Sequence, residues 1–442
     1  MTAVKADQTV GRALAERAAA VIPGGVNSST RSLGAPFALA SAEGAYVTDA
    51  DGNRYLDYHA AFGAILLGHL HPEVEQAVAD AKAIDITGFG VSELEVQLAE
   101  AVVAAIPSVE QTITVTTGSE AVAYALRIAR AITDRRFVVK VQGGFHGWSD
   151  SMARNVISAP EKAYGWDPLS AGILPEPLEA TLIADYNDLS TVEALFAAHP
   201  EQIAAVIVEP IPHNVGALLP NDGFLQSLRD LTRREGSLLI FDEVITGFRH
   251  SLGGYQQVCG VMPDLTTFGK AMGNGHPVAG VGGPASVMQH ANSAAGGTVT
   301  IMGTFNGHAA SCAAGLATIG HLSSHPDFYE RTHALGQRLR DGLNQIFDEA
   351  GVAGVAAGFG GTFSPYFIPG EPTSYRELAR NDKEASLAFN RGLIDRGFLL
   401  IPMALKRSHI SGSHTEEDID KTLEAARDVV SDMVARDVAP RR

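Results

Sequence analysis

Leu238-Leu239-Ile240-Phe241 runs directly into Asp242-Glu243-Val244, and further on Asp264-Leu265-Thr266-Thr267-Phe268-Gly269 ends at Lys270, followed by Gly273-Asn274-Gly275. A short apolar run without alternation reads as a strand buried on both faces of a parallel sheet, and ligands collect at the carboxyl ends of such strands. Asp242 therefore stands at a strand end, and Lys270 closes the next short apolar segment. Taken singly, these are a strand-end ion pair and a surface lysine. Taken together, an acid and a lysine at neighbouring strand ends suit pyridoxal phosphate. The lysine holds the cofactor as a Schiff base, and the acid keeps the pyridine nitrogen protonated so that the ring acts as an electron sink.

Strands and helices alternate outward from this point. Upstream, the pattern gives a helix over 8–22 stopped by Pro23-Gly24-Gly25, and then a polar loop carrying Arg31, a guanidinium suited to a substrate carboxylate. A hairpin follows around Ala50-Asp51-Gly52, then helices at 73–83 and 93–106, and a strand at 111–115. That strand runs through Thr116-Thr117-Gly118-Ser119-Glu120 into a helix, a turn with free N–H groups for a phosphate, though Thr117 or Ser119 could equally be an ordinary N-cap. Strand 137–142 leads to Gly143-Gly144-Phe145-His146-Gly147-Trp148, where Phe145 can stack on a flat ring. Residues 151–180 read as a long, mobile loop over the site. Strand 203–209 ends on Glu209 and a helix spans 222–235. The architecture implied is α/β, a doubly wound, mostly parallel sheet over 61–324. Residues 1–60 are an arm and hairpin that go with a smaller α+β domain at 325–442, which holds helices at 325–350, 383–396 and 415–435.

The chain's 442 residues carry a formal net charge of −17, which argues against nucleic acid or an anionic membrane surface as partner. Two cysteines, Cys259 and Cys312, make no disulfide framework and read as small buried apolar residues. With neither a membrane-length apolar span nor a signal-peptide pattern, the expected compartment is the cytoplasm. A nicotinamide dehydrogenase would need a G-x-G-x-x-G after a strand, and a P-loop enzyme would need a hydroxyl residue after Gly269-Lys270; neither is present. His69, His71 and Glu73 suggest a metal hydrolase, but the sequence offers no third ligand and a polar turn is the simpler reading.

Asp242-Glu243-Val244, Phe268-Gly269-Lys270, Thr117-Gly118-Ser119-Glu120-Ala121, Phe145-His146-Gly147 and Gly303-Thr304-Phe305 stand in the order and spacing of the class III, fold type I pyridoxal-phosphate aminotransferases, which the chain resembles from about residue 20 to 432. It is most similar to the glutamate-1-semialdehyde 2,1-aminomutase branch, through Pro23-Gly24-Gly25-Val26-Asn27-Ser28, Asp51-Gly52-Asn53-Arg54-Tyr55, Pro263-Asp264-Leu265-Thr266-Thr267 and His414-Thr415-Glu416-Glu417-Asp418-Ile419-Asp420. The resemblance implies a homodimer with small-molecule substrates. Lys270 would form the Schiff base and shuttle the proton, and Asp242 would face the pyridine nitrogen. Phe145 and Val244 would pack on the ring, with His146 beside them. Gly118 and Ser119 would bind the phosphate, Glu209 would lie near the ring hydroxyl, and Thr304 would reach the neighbouring subunit's phosphate.

Two departures bear on the substrate. Phe62 stands where the aminomutase carries a tryptophan, and Lys406, followed by Arg407, falls where it carries a glutamate. A charge reversal at a substrate-facing position is not a neutral change if the side chain is desolvated. D-Phenylglycine and β-amino-acid aminotransferases are also similar around His146-Gly147-Trp148. The expectation is an aminotransferase that moves an amino group between a carboxylate-bearing amino acid (or amine) and a 2-oxo acid. The alternative is the aminomutase, in which the transfer is intramolecular.

Overall fold

A computed structural model describes residues 8–31, 37–81 and 90–442. The first helix, Thr9–Val21, is followed by β1 (Leu39–Glu43), β2 (Tyr46–Asp49) and β3 (Arg54–Asp57), an antiparallel meander that contains the expected hairpin. Helices Pro72–Asp80 and Glu93–Ala105 lead to the large sheet; the end of the expected 73–83 helix lies outside the described residues.

The large sheet has seven strands: β4 (Gln111–Val115), β5 (Phe137–Val141), β6 (Thr181–Ala184), β7 (Ile203–Val208), β8 (Leu238–Glu243), β9 (Leu265–Phe268) and β10 (Ala279–Gly283). Their order is β4-β10-β9-β8-β7-β5-β6, and β10 runs antiparallel to both its neighbours while β9, β8, β7, β5 and β6 pair in parallel. Every residue of β7 and β8 is buried, as the apolar runs over 203–208 and 238–241 require of central strands. Alanine-rich packing of Gly118–Thr133 (Ala121, Ala125, Ala129) lets that helix lie close on the sheet.

The remaining elements gather a separate core. Leu335, Leu339, Leu343 and Phe347 of helix Asp327–Glu349 pack with Phe389, Ile419 and Val429, and with Leu56 and Tyr58 from the N-terminal meander. Strand β11 (Val355–Ala357) pairs with β12 (Thr362–Tyr366), β13 (Phe398–Leu399) joins β3 in parallel, and β14 (Ser408–His409) pairs with β12. The pairing of β14 fixes the direction of the two residues before it, Lys406 and Arg407.

Residues 151–180 depart from the expected mobile loop. Met152, Ala153, Arg154, Asn155 and Val156 are buried, and a helix forms at Pro175–Glu179. The reason is Lys140, an uncommon charge in the middle of β5. Its Nζ donates to the carbonyls of Gly144 and Arg154, each at 2.7 Å, and to that of Met152 at 3.4 Å. Arg154 in turn donates to the carbonyls of Leu178, Thr181 and Gly165. Irregular backbone can be buried because side chains satisfy its carbonyls. Among the described residues no helix is long and apolar enough to cross a membrane.

Candidate active site

β8 and β9 lie side by side with Asp242 opposite Thr267, and the chain leaves β9 into a short 3-10 turn that begins at Lys270. Both residues line a cavity of about 320 Å³. Asp242 is 4% exposed; its Oδ2 takes His146 Nδ1 at 2.7 Å, and its Oδ1 accepts from Thr267 Oγ1 at 3.0 Å and Val244 N–H at 3.1 Å. Lys270 holds a left-handed backbone, φ 42°, which costs a non-glycine residue on the order of 1–2 kcal/mol and here aims the side chain at the cavity. Burial pushes its ammonium down to about 8; Arg407 and Arg249 push the same way, and Asp242 and Glu209 oppose them. Two other lysines are also depressed, Lys140 and Lys406, each to about 7 and chiefly by burial. Their ammonium groups are engaged elsewhere, Lys140 with its three carbonyls and Lys406 with the carbonyl (3.0 Å) and Oδ1 (2.7 Å) of Asn214. Of the three, Lys270 lines the cavity.

Thr116, Thr117, Gly118 and Ser119 line the same cavity, where a helix begins. Thr117 caps the sixteen-residue helix Gly118–Thr133, its hydroxyl accepting from Glu120 N–H while the Glu120 carboxylate accepts from Thr117. Thr117 is thus the N-cap, and Gly118 and Ser119 lie in the first turn, at the positive end of the helix dipole, where an anion is favoured. Two glycines make the approach possible. A Cβ on Gly118 would lie 2.8 Å from Val244 Cγ1, and one on Gly147 (φ 89°) would lie 2.7 Å from Ser119 Oγ.

Phe145 and Val244 both line the cavity. Glu209, at the end of β7, accepts from Phe145 N–H (2.8 Å) and His213 N–H (3.0 Å), and burial raises its pKa. Beyond any contact with a ligand, Glu209 therefore pins the Phe145 backbone. His146 is buried, with its second nitrogen, Nε2, unpartnered.

The substrate-side candidates divide. Arg407 is buried, its Nη2 donating to the Phe62 carbonyl (2.7 Å) and its Nε to His409 Nε2 (3.2 Å). Burial lowers its pKa to about 10. Phe62 sits edge-on to His59, ring centroids 4.3 Å apart, in a run of left-handed residues, Ala60 (φ 47°), Ala61 (49°) and Phe62 (58°). This strained turn presents its carbonyls to guanidiniums: Phe62 to Arg407 and Gly63 to Arg249. Arg31 is exposed, outside the cavity lining, and near enough to His59 to be among the charges that add to burial in lowering that imidazole to about 4. Thr304 is exposed and does not line this chain's own cavity.

Sequence reasoning missed Arg249 and Lys140. Arg249 is 2% exposed, Nε and Nη1 have no partner, and burial with Arg407 nearby lowers it to about 9. Its only sequence signal is a cation beside Gly247-Phe248, whereas Lys140 could have been noticed as a charge inside Val138-Val139-Lys140-Val141. His69, weighed above as a metal ligand, pairs instead with Asp57 at 2.8 Å.

The sequence profile described as "Aminotransferase class-III" matches residues 28–369. The chain belongs to the class III aminotransferase family. It is 41% identical over 422 residues to the glutamate-1-semialdehyde 2,1-aminomutase of Rhodopirellula baltica, 95% of each chain being covered. The solved structure of an omega-transaminase from Sphaerobacter thermophilus superposes with a TM-score of 0.89 at 32% identity, covering 97% of this chain and 98% of that one. A β-phenylalanine aminotransferase from Variovorax paradoxus gives 0.86 at 30%, covering 98% and 96%. The fold type I architecture and a pyridoxal-phosphate-dependent enzyme activity follow. Within the family, the names of the sequence relatives favour the aminomutase alternative over the transaminase expectation.

The class III site fits its cofactor. A buried acid, a lysine and a helix N-terminus line one cavity, and Gly118 and Gly147 leave room where a Cβ would meet Val244 and Ser119. Pyridoxal phosphate bound there supplies the electron sink that loosens a bond at the substrate carbon. The chain's own part is to orient and to move a proton. Asp242, held by three donors, keeps lone pairs for a ring N–H, and Lys270 Nζ, with its lowered affinity, can release and take back a proton near neutral pH.

Proposed function

We propose that this chain is an intermolecular transaminase, passing an amino group between a carboxylate-bearing amino acid (or amine) and a 2-oxo acid. We infer also a cytoplasmic homodimer in which Thr304 serves the partner's phosphate site. The observation that carries the reading is the pair of cations, Lys406 and Arg407, packed behind the site. Arg407 is buried and Lys406 half-buried, neither lining the cavity itself, and both lie near enough to Lys270 to share its electrostatics. The positive field they set up beside the cavity suits substrates with an anionic carboxylate. An intramolecular transfer instead passes through a molecule carrying two amino groups, and a second ammonium about 6 Å from a buried guanidinium is disfavoured by roughly 3 kcal/mol at an effective dielectric of about 20. The exposed Met302 (73%), Phe305 (57%) and Trp148 (71%) support the dimer, since large apolar groups of this kind mark interfaces.

The aminomutase reading is favoured by a different observation, identities of 41% and 42% to proteins of that name over more than nine-tenths of this chain. Half-reactions separate the two. Holoenzyme is mixed with single amino donors without acceptor, and then with a 2-oxo acid. Conversion by an α- or β-amino acid, reversed by the oxo acid with release of its amino acid, supports the transaminase. A response confined to glutamate-1-semialdehyde overturns it.

A further inference from the structure

One cluster singled out in the sequence is not absorbed by the amino-transfer site. His71 stands at the N-cap position of helix Pro72–Asp80 without capping it by its side chain, Glu73 lies in the first turn, and both meet His321, near the end of helix Ala309–Ser324 and 248 residues along the chain from Glu73. The third ligand that the sequence alone did not offer is therefore supplied by the fold. One ligand atom from each of the three lies within 4.8 Å of the others. The Glu73 carboxylate is turned onto the imidazole, both oxygens 3.1 Å from His321 Nδ1, and the His71 and His321 rings are 4.6 Å apart, centroid to centroid. His71 Nδ1 is buried without a hydrogen-bond partner. None of the three lines the cofactor cavity.

We propose that His71, Glu73 and His321 bind a divalent ion of the zinc class, which clasps helix Pro72–Asp80 to helix Ala309–Ser324. Two imidazoles and one carboxylate are a zinc-type donor set that leaves one position for water, whereas calcium and magnesium prefer oxygen ligands throughout. Tetrahedral zinc with bonds of about 2.0–2.1 Å places its donors roughly 3.3 Å apart. The 4.8 Å limit closes to that spacing through side-chain rotation, and Glu73, 55% exposed, is free to make it, while His321, at 15%, is held by its helix. Binding replaces the His321–Glu73 hydrogen bond, and any proton on the imidazole is released. The role is structural: the same helix carries Glu75, whose carboxylate is 3.2 Å from Nε2 of His276, a residue of the cavity wall.

The test uses tag-free, full-length holoenzyme freed of metal by chelator and dialysis. It is titrated with Zn²⁺ by calorimetry, and with Co²⁺ followed by its visible ligand-field bands. One ion per chain is expected, with a zinc-dependent rise in Tm. His321→Ala and Glu73→Gln should each weaken binding by at least about tenfold and abolish the Tm rise, while cofactor absorbance remains as in the wild type. Binding of equal affinity in His321→Ala, or no saturable binding in the wild type, overturns the proposal and leaves an ordinary imidazole–carboxylate pair.

Discussion

Lys270 should capture pyridoxal phosphate near neutral pH far faster than an ordinary lysine would. Burial and the neighbouring guanidiniums hold its pKa at about 8 against an ordinary 10.5. At about pH 7.5 roughly one quarter of such a lysine is free amine, against about one part in a thousand of an unperturbed one, a gain of about two-hundredfold in nucleophile. Growth of visible absorption after adding cofactor to the apo-protein measures capture, and its rate should rise with a midpoint near 8. After burial itself, Arg407 is the charge that contributes most to the shift. Arg407→Gln should therefore move the midpoint upward, while Arg407→Lys, which keeps the charge, should not. A profile that climbs unchecked toward 10.5, or a midpoint that Arg407→Gln leaves in place, would refute this account of Lys270.

Other perturbations follow from the same geometry. Asp242→Asn leaves the space intact but removes the buried charge that meets His146 and would face the ring nitrogen; a loss of roughly 3–5 kcal/mol corresponds to turnover lower by between about a hundredfold and five-thousandfold, read by steady-state kinetics on cofactor-saturated enzyme. Gly147→Ala puts a Cβ 2.8 Å from the Ser119 Cα at a left-handed position. It should weaken cofactor affinity by roughly ten- to a hundredfold, the equivalent of about one charge-assisted hydrogen bond, as measured by equilibrium titration. Lys140→Met leaves carbonyls of the 144–154 loop without their donor and should lower stability by roughly 1–3 kcal/mol in denaturant titrations. Because the folded-state pKa of Lys140, about 7, lies below its ordinary 10.5, the folded protein binds fewer protons between those values, so this residue makes the wild type gain stability as pH rises through that window. Lys140→Met should lose that part of the slope, and an unchanged slope would count against the lowered pKa of Lys140.

The parts of the fold legible in the sequence were those with a single dominant signal. The continuous apolar runs of β7 and β8 have no other way to be buried, and their polar ends, Glu209 and Asp242, arrive at the cavity together. β10 was not read, because three of its five residues, Ala279-Gly280-Val281-Gly282-Gly283, are glycine and carry no strand pattern; its pairing with β4 and β9 is decided by close backbone packing. Residues 151–180 lack periodicity because their order comes from Lys140, Arg154 and Asn155 bonding to backbone, which no local pattern encodes. The site divides similarly. Residues at strand ends and helix starts follow from position alone, whereas Arg249 comes near Lys270 through a long-range bond to the Gly63 carbonyl, just after the left-handed run Ala60-Ala61-Phe62.

Locating the cofactor covalently is the most direct measurement. Holoenzyme is reduced with borohydride, digested, and its peptides are analysed by mass spectrometry. Lys140 and Lys406 are depressed even further than Lys270, so a low pKa alone does not select among them. The geometry does, because Lys270 faces the cavity while the other two are spent on carbonyls and on Asn214. The expected result is the reduced cofactor on the peptide containing Lys270, absent in Lys270→Ala. Cofactor on the Lys140 or Lys406 peptide, or on none, would contradict it.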